Sequence, residues 1–334
     1  MEKYSKWRDP STGVAPFLYP LSPASTDAAL PPVLRVVTVP CSAVIGAFRS
    51  LLVALLLLAQ AILVDGVLSV FLLYPPLHYV LSRTCNSAIS RVILFVLGVA
   101  IISVETIRLA KTGRSPPQVA FEPRQGDLIV SNSSSYVDLL YLSFRHNATF
   151  LAPVFSADFK VTGWKRASLV RAVWENGRIP GRTTGDKGET LEGALKNSHG
   201  PAVLFPECTT SNNRAVLKFP SLSNQALAKL SSATKIFVLA FKYPAPTRLT
   251  PSLTHPIPSH SPFLGPIPHL YSMTSSLSLH TLSVRRLHPS ESPRKLEWEG
   301  LEELVAATGR FKRLGGLGSK EKEAFLEFRR LKGR

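Results

Sequence analysis

Asp127-Leu128-Ile129-Val130-Ser131-Asn132-Ser133-Ser134-Ser135-Tyr136-Val137-Asp138-Leu139-Leu140-Tyr141 changes its hydrophobic period halfway. Residues 127–130 form a short apolar run of strand type. From Tyr136 to Arg145 the apolar residues Val137, Leu140, Tyr141 and Phe144 fall on one helical stripe. The polar residues between them carry a helix-start signature, Ser135-x-x-Asp138, in which Ser135 caps and Asp138 stabilises the first turn. Strand, polar loop and helix in this order make up the repeating unit of an α/β protein.

The same alternation continues downstream. Residues 149–154 read as a buried strand, 177–181 as a strand and turn, 190–196 as a polar helix and 202–205 as a strand. Residues 226–230 follow as a helix, 236–243 as a buried strand and 280–287 as a closing strand. Between 244 and 268 there are eight prolines in 25 residues, which excludes a regular element and predicts a long ordered loop. Two helices, 296–307 and 319–331, end the pattern, with Arg329, Arg330, Lys332 and Arg334 clustered at its close. Strands separated by helices predict a mainly parallel sheet covered by helices.

Upstream, residues 51–74 read LLVALLLLAQAILVDGVLSVFLLY, interrupted mainly by Gln60, Asp65 and Gly66 and stopped by Pro75-Pro76. That length spans a bilayer core of ~30 Å. A second apolar run, residues 92–104 between Arg91 and Glu105, is short for a full span and suits a re-entrant or interfacial helix. The pair predicts a membrane-embedded helical hairpin; two buried core helices are the alternative. Asp65 reads either as an intramembrane carboxylate with a function or as a residue at a kink beside Gly66. The chain therefore divides into an N-terminal extension (1–42), the hairpin (43–110), an α/β domain (111–290) and a basic helical tail (291–334). Lys3, Lys6 and Arg8 are mixed with Glu2, Asp9 and prolines before any apolar run, the wrong shape for a cleaved signal peptide.

Composition narrows the partners. The 334 residues are 45% hydrophobic and carry a net charge of +17, so an anionic partner is expected. Long apolar runs and the lack of any helix-turn-helix, RNA-recognition or zinc-finger pattern favour an anionic membrane over nucleic acid. Cys41, Cys85 and Cys208 are too few and too scattered for a disulfide framework or a metal cluster, and a reducing cytosolic setting is expected for the soluble part.

A second loop, Phe205-Pro206-Glu207-Cys208-Thr209-Thr210-Ser211, follows an apolar strand and presents a carboxylate and several hydroxyls where open parallel sheets bind ligands. Together with Asn132 to Asp138 it resembles the two signature blocks of the membrane-bound glycerolipid acyltransferases of the 1-acylglycerol-3-phosphate type. Residues 1–18, 250–258 and 315–322 resemble the fungal lysophosphatidic acid:oleoyl-CoA acyltransferase group within that family.

The resemblance implies an O-acyltransferase that moves an acyl group from acyl-CoA, a co-substrate, to a lysophospholipid, with no bound cofactor or metal. It implies catalytic roles at Asp138 and at position 133, and acceptor binding by Glu207, Thr209 and Thr210. Ser133 stands where the family places its general-base histidine, and a serine hydroxyl is too weak a base to replace imidazole. The base is then His146, His255, His260, or Asp138 acting through a water. Arg182, with Arg178 beside it in Gly177 to Arg182, reads either as a phosphate contact or as a surface arginine. Cys208 replaces the family's glycine, and Thr210 replaces an arginine found in phosphatidate-forming members, which implies a weaker preference for a bare phosphate monoester. Membership of the fungal group implies the endoplasmic reticulum membrane and lipid droplet, a cytosolic catalytic domain and a part in phospholipid and triacylglycerol metabolism. The missing histidine supports an alternative, a non-catalytic relative that binds lipid or regulates an active enzyme.

Overall fold

The computed structural model describes residues 3–20, 32–110, 119–179, 188–223, 226, 230–231, 233–247, 250–259, 261 and 263–332. The expected helix at 226–230, Arg182 and His260 lie wholly or largely outside these residues.

Two helices lead into the sheet. α1 (Pro32–Gln60) continues through one π-helical stretch (Ala61–Gly66) and a 3-10 stretch (Val67–Leu73), and α2 (Pro75–Val96) runs on from the two prolines. Proline is tolerated in a helix's first turn because its missing N–H has no partner there. Of the described residues, one helix, Thr38–Gly66, is long and apolar enough to cross a membrane. Its inner side, with Val53, joins the core, while Val44, Phe48, Leu51, Leu55 and Leu58 are exposed.

The second arm of the expected hairpin is not formed by residues 92–104. Helix α2 ends at Val96, Gly98 turns the chain with φ +83°, and β1 (Val99–Ile107) begins. Arg91 closes the corner by donating to the carbonyls of Val99 and Ala100 at 3.1 and 3.0 Å. The apolar run thus spans a helix end and a strand, a boundary that apolar content does not reveal.

The remaining strands are β2 (Leu128–Ser131), β3 (Thr149–Phe155), β4 (Val161–Ala167), β5 (Ala202–Leu204), β6 (Ala215–Lys218), β7 (Ile236–Lys242), β8 (His280–Leu287) and β9 (Lys312–Gly318). Seven make one sheet in the order β1-β8-β7-β2-β5-β3-β4. Its centre, β7-β2-β5-β3, is all parallel; β8 runs antiparallel to β7 and β4 to β3, and β1 pairs parallel with β8. β6 and β9 form a separate parallel pair. Helices α3 (Tyr136–His146), α4 (Leu169–Glu175), α5 (Leu191–Lys196), α6 (Ile267–Thr274), α7 (Trp298–Gly309) and α8 (Ser319–Lys332) complete the chain.

The centre of the sheet is buried on both faces, as parallel strands require. Ile129, Val203, Phe237 and Leu239 point into a core shared with α1 to α4 and α6. Leu128, Val130, Ala202, Leu204 and Val238 point into a second core shared with α5 and α7. The described part of the proline-rich segment is irregular until α6 begins at Ile267. The strand expected within 177–181 is absent from its described part, where the chain turns at Gly177 after α4.

Candidate active site

Because β2 and β5 are parallel neighbours, the loops leaving their C-terminal ends emerge side by side. The Ser211 N–H donates to the Ser133 carbonyl at 3.0 Å and joins them. Two buried asparagines tie both loops to the end of β7. Asn132 donates to the Phe241 carbonyl and accepts from its N–H (3.1 and 2.8 Å). Asn213 donates to Ser134 Oγ and to Phe241 O, both at 2.8 Å, and accepts from Tyr243 N.

Asp138 lies at the start of α3 and is wholly buried. Its Oδ2 accepts from the N–H groups of Ser134 (2.9 Å) and Ser135 (3.0 Å), and its Oδ1 accepts from the Tyr243 hydroxyl. Ser135 Oγ in return accepts from Val137 N. These are the contacts of a helix cap. Burial pushes the Asp138 carboxyl up to about 7, against the pull of Tyr243 and the two backbone donors.

Ser133 lines a small cavity of about 90 Å³ with Phe150, Asn176, Arg178, Thr209 and Thr210. Cys208 in the same wall has φ +55°, a left-handed backbone that costs a residue with a side chain ~1–2 kcal/mol and that glycine would adopt without that cost. Burial pushes the Cys208 thiol well above its usual range.

In the second loop Glu207 is buried, and its Oε2 has no hydrogen-bond partner; neither has Thr209 Oγ1. Buried polar atoms without partners are uncommon and mark places where a ligand's donor or acceptor would fit. Lys322, from α8, is also fully buried and donates to the Thr210 carbonyl (2.7 Å) and to Thr210 Oγ1 (3.0 Å). Burial raises the Glu207 carboxyl well above the usual carboxylate range, although the nearby ammonium opposes this. Burial lowers Lys322 to about 7, with Glu207 opposing.

Two histidines complete the cluster. The His255 N–H donates to the Ser134 carbonyl at 2.7 Å, and its carbonyl accepts from Thr210 Oγ1 at 2.7 Å, so residue 255 bridges both loops. Its Nδ1 is 3.3 Å from Asn176 Oδ1, an acceptor, so the contact suits the tautomer protonated at Nδ1, with the lone pair on Nε2. Burial first, then His269, Lys322 and Arg178, hold this imidazole well below its ordinary value, and it is neutral. Gly177 makes room for it: at φ +82°, a Cβ there would lie 3.1 Å from His255 Nδ1. His269, on α6, donates from Nε2 to the Ser252 carbonyl (2.9 Å) and accepts at Nδ1 from the Tyr136 hydroxyl (3.1 Å). Burial lowers it to about 4.

The structure therefore brings Ser133, Glu207, Thr209, Thr210 and His255 together around one loop junction. Asp138 sits beside them with its oxygens engaged. His146 lies at the far end of α3, roughly 15 Å along the helix from its first residue, and does not reach the junction. Lys322, Asn176, Asn213 and Tyr243 were not expected from the sequence: Lys322, Asn176 and Tyr243 arrive from other segments, and Asn213, just past the second loop, shows its role only through long-range bonds. The N-terminal segment also reaches the second loop: Asn212 donates to the carbonyls of Ala15 and Leu18, and its N–H to that of Pro16. Trp7 and Phe17 pack on Phe325 of α8.

Over 332 residues, 98% of each chain, the sequence is 26% identical to a Schizosaccharomyces pombe protein provisionally named lysophosphatidic acid:oleoyl-CoA acyltransferase. No family model matches the chain, and no solved structure matches it. The likeness is to an acyltransferase, at modest identity.

Proposed function

We propose that this chain is an acyl-CoA-dependent lysophospholipid acyltransferase of the lysophosphatidic acid type, in which His255 serves as the general base. The observation that carries the reading is the bridging of the two loops by the backbone of residue 255, whose N–H meets the Ser134 carbonyl and whose own carbonyl meets Thr210 Oγ1, with its neutral imidazole held against Asn176. In this scheme His255 Nε2 takes the proton from the acceptor hydroxyl as its oxygen attacks the thioester carbonyl. The oxyanion that forms is met by hydroxyl donors from Ser133 and Thr209, and its collapse expels the CoA thiolate, which recovers a proton from the imidazolium. Asp138 positions the first loop. Glu207 and Thr210 bind the acceptor, with Lys322 fixing Thr210, and Arg182 contributes to phosphate binding. The excess of basic residues attracts the phosphates of CoA and anionic lipid at the cytosolic face of the endoplasmic reticulum or of a lipid droplet, where the product enters phospholipid and triacylglycerol synthesis.

The test is transfer of labelled oleoyl-CoA to a panel of lysophospholipids, using membranes from cells that lack or overproduce the chain, with His255→Gln as control. Transfer that follows the wild-type chain and is lost in the variant supports the reading. One observation favours a second reading, a non-catalytic lipid-binding relative: the oxygens of Asp138 are all engaged and position 133 holds no imidazole. No transfer to any acceptor, with the protein folded and abundant, would favour that reading.

A further inference from the structure

A polar cavity of about 400 Å³ lies at the opposite end of the sheet, where the chain enters β3 and approaches β5. One wall belongs to the apolar helix, through Gln60 at the end of α1 and Asp65 in the π-helical stretch. Gln60 is only 1% exposed. Its Nε2 donates to Asn86 Oδ1, Asn86 Nδ2 donates to Asn147 Oδ1, and Asn147 Nδ2 donates to Ser82 Oγ. Each amide in this row fixes the next, and the row ends on Gln60 Oε1, which is buried without a hydrogen-bond partner. An acceptor left in that state invites a donor from a ligand.

The lining selects the ligand. Gln60 Oε1 and the Asp65 carboxyl, which accepts from Ser168, are both acceptors, so an occupant must donate twice. Among the described residues the cations offered to a phosphate are already paired: Arg166 with Glu189 at 3.3 Å, and Lys196 on the adjoining rim with Glu192 at 3.0 Å. His78 and His199 face each other with ring centroids 5.1 Å apart, and burial holds His199 below its ordinary value. Leu58, Ile62 and Leu63, close by on the helix, present exposed apolar surface. A head group with two hydroxyls and no charge, attached to an acyl chain, satisfies all of these conditions.

We propose that this cavity binds the diol head of a monoacylglycerol, with its acyl chain along the outer side of α1. The site is separate from the loop junction and does not depend on the acyltransferase reading. The test is equilibrium binding of tritiated 1-oleoylglycerol to the full chain in detergent micelles, with free glycerol and 1-oleoyl-lysophosphatidate as competitors. Saturable binding is expected, displaced by neither competitor and weakened roughly tenfold by Gln60→Leu, as for loss of one hydrogen bond to a buried acceptor. Asp65 is exposed, so Asp65→Leu provides a variant that leaves the amide row intact, with a similar loss expected. Absence of saturable binding, binding unchanged in both variants, or displacement by lysophosphatidate or by glycerol would each overturn the proposal.

Discussion

Replacing either member of the buried Glu207 and Lys322 couple should tilt stability against pH, and in opposite directions. Lys322 has a folded value of about 7 against 10.5 when free, so between these the unfolded chain binds more protons and stability rises with pH. Glu207 is raised above its free value of 4.5, so above that pH the folded chain holds the extra proton and stability falls as pH rises towards the folded value. In the wild type the two slopes oppose each other. Glu207→Gln leaves only the lysine, whose stability contribution should climb by up to ~1.4 kcal/mol per pH unit above pH 7. Lys322→Met leaves only the carboxyl and should lose stability over the range above 4.5. Removal of the ammonium also takes two charged hydrogen bonds from Thr210, each contributing about 1.5–3 kcal/mol before the relief of burying the amine is set against it. Chemical unfolding in detergent micelles between about pH 6 and 9 reads these slopes directly. Parallel profiles for the wild type and both variants would refute the buried placement of Lys322 beside Glu207.

Three more outcomes follow from the loop junction. Ser133→His alone should raise transfer little, because Tyr243 occupies Asp138 Oδ1; combined with Tyr243→Phe, which frees that oxygen, it should raise transfer about tenfold or more, and a full gain in the single variant would contradict this. His255→Gln should lower kcat by ~10²-fold or more with the melting temperature nearly unchanged, since the backbone bonds of residue 255 remain; the wild-type acid limb should fall below pH 6.5, because only the neutral imidazole accepts a proton and its value is depressed. Gly177→Ala should cost ~1 kcal/mol or more of stability from its positive φ and also reduce transfer by displacing His255, as measured by thermal unfolding and oleoyl transfer.

What the sequence made legible was local and periodic. The passage from β2 through Ser133 to α3 could be read because strand, loop and helix are contiguous, and the closing strand was found at residues 280–287 because its apolar residues alternate. Parallel placement of two such units explains why the Ser133 and Glu207 loops meet. The run 92–104 was misread because its apolar content is continuous across Gly98 while the backbone is not. β9, Lys-Arg-Leu-Gly-Gly-Leu-Gly, lacks the branched residues that signal a strand and is held by pairing with β6. The role of Lys322 had no local signature, since it depends on a contact across 112 residues. The same holds for Asn213, which looks like a turn residue until its three side-chain bonds to Ser134, Phe241 and Tyr243 are seen.

The reach of α8 into the Thr210 loop has a consequence during synthesis. A ribosome adding ~5–20 residues each second needs roughly ten seconds to travel the 112 residues from Thr210 to Lys322. The apolar helix at Thr38–Gly66 has emerged long before then and is free to meet a bilayer. Throughout that interval the loop bearing Glu207 lacks its lysine clasp, so the apolar helix is presented while the loop junction is still unfinished, and the junction matures only after the last helix docks.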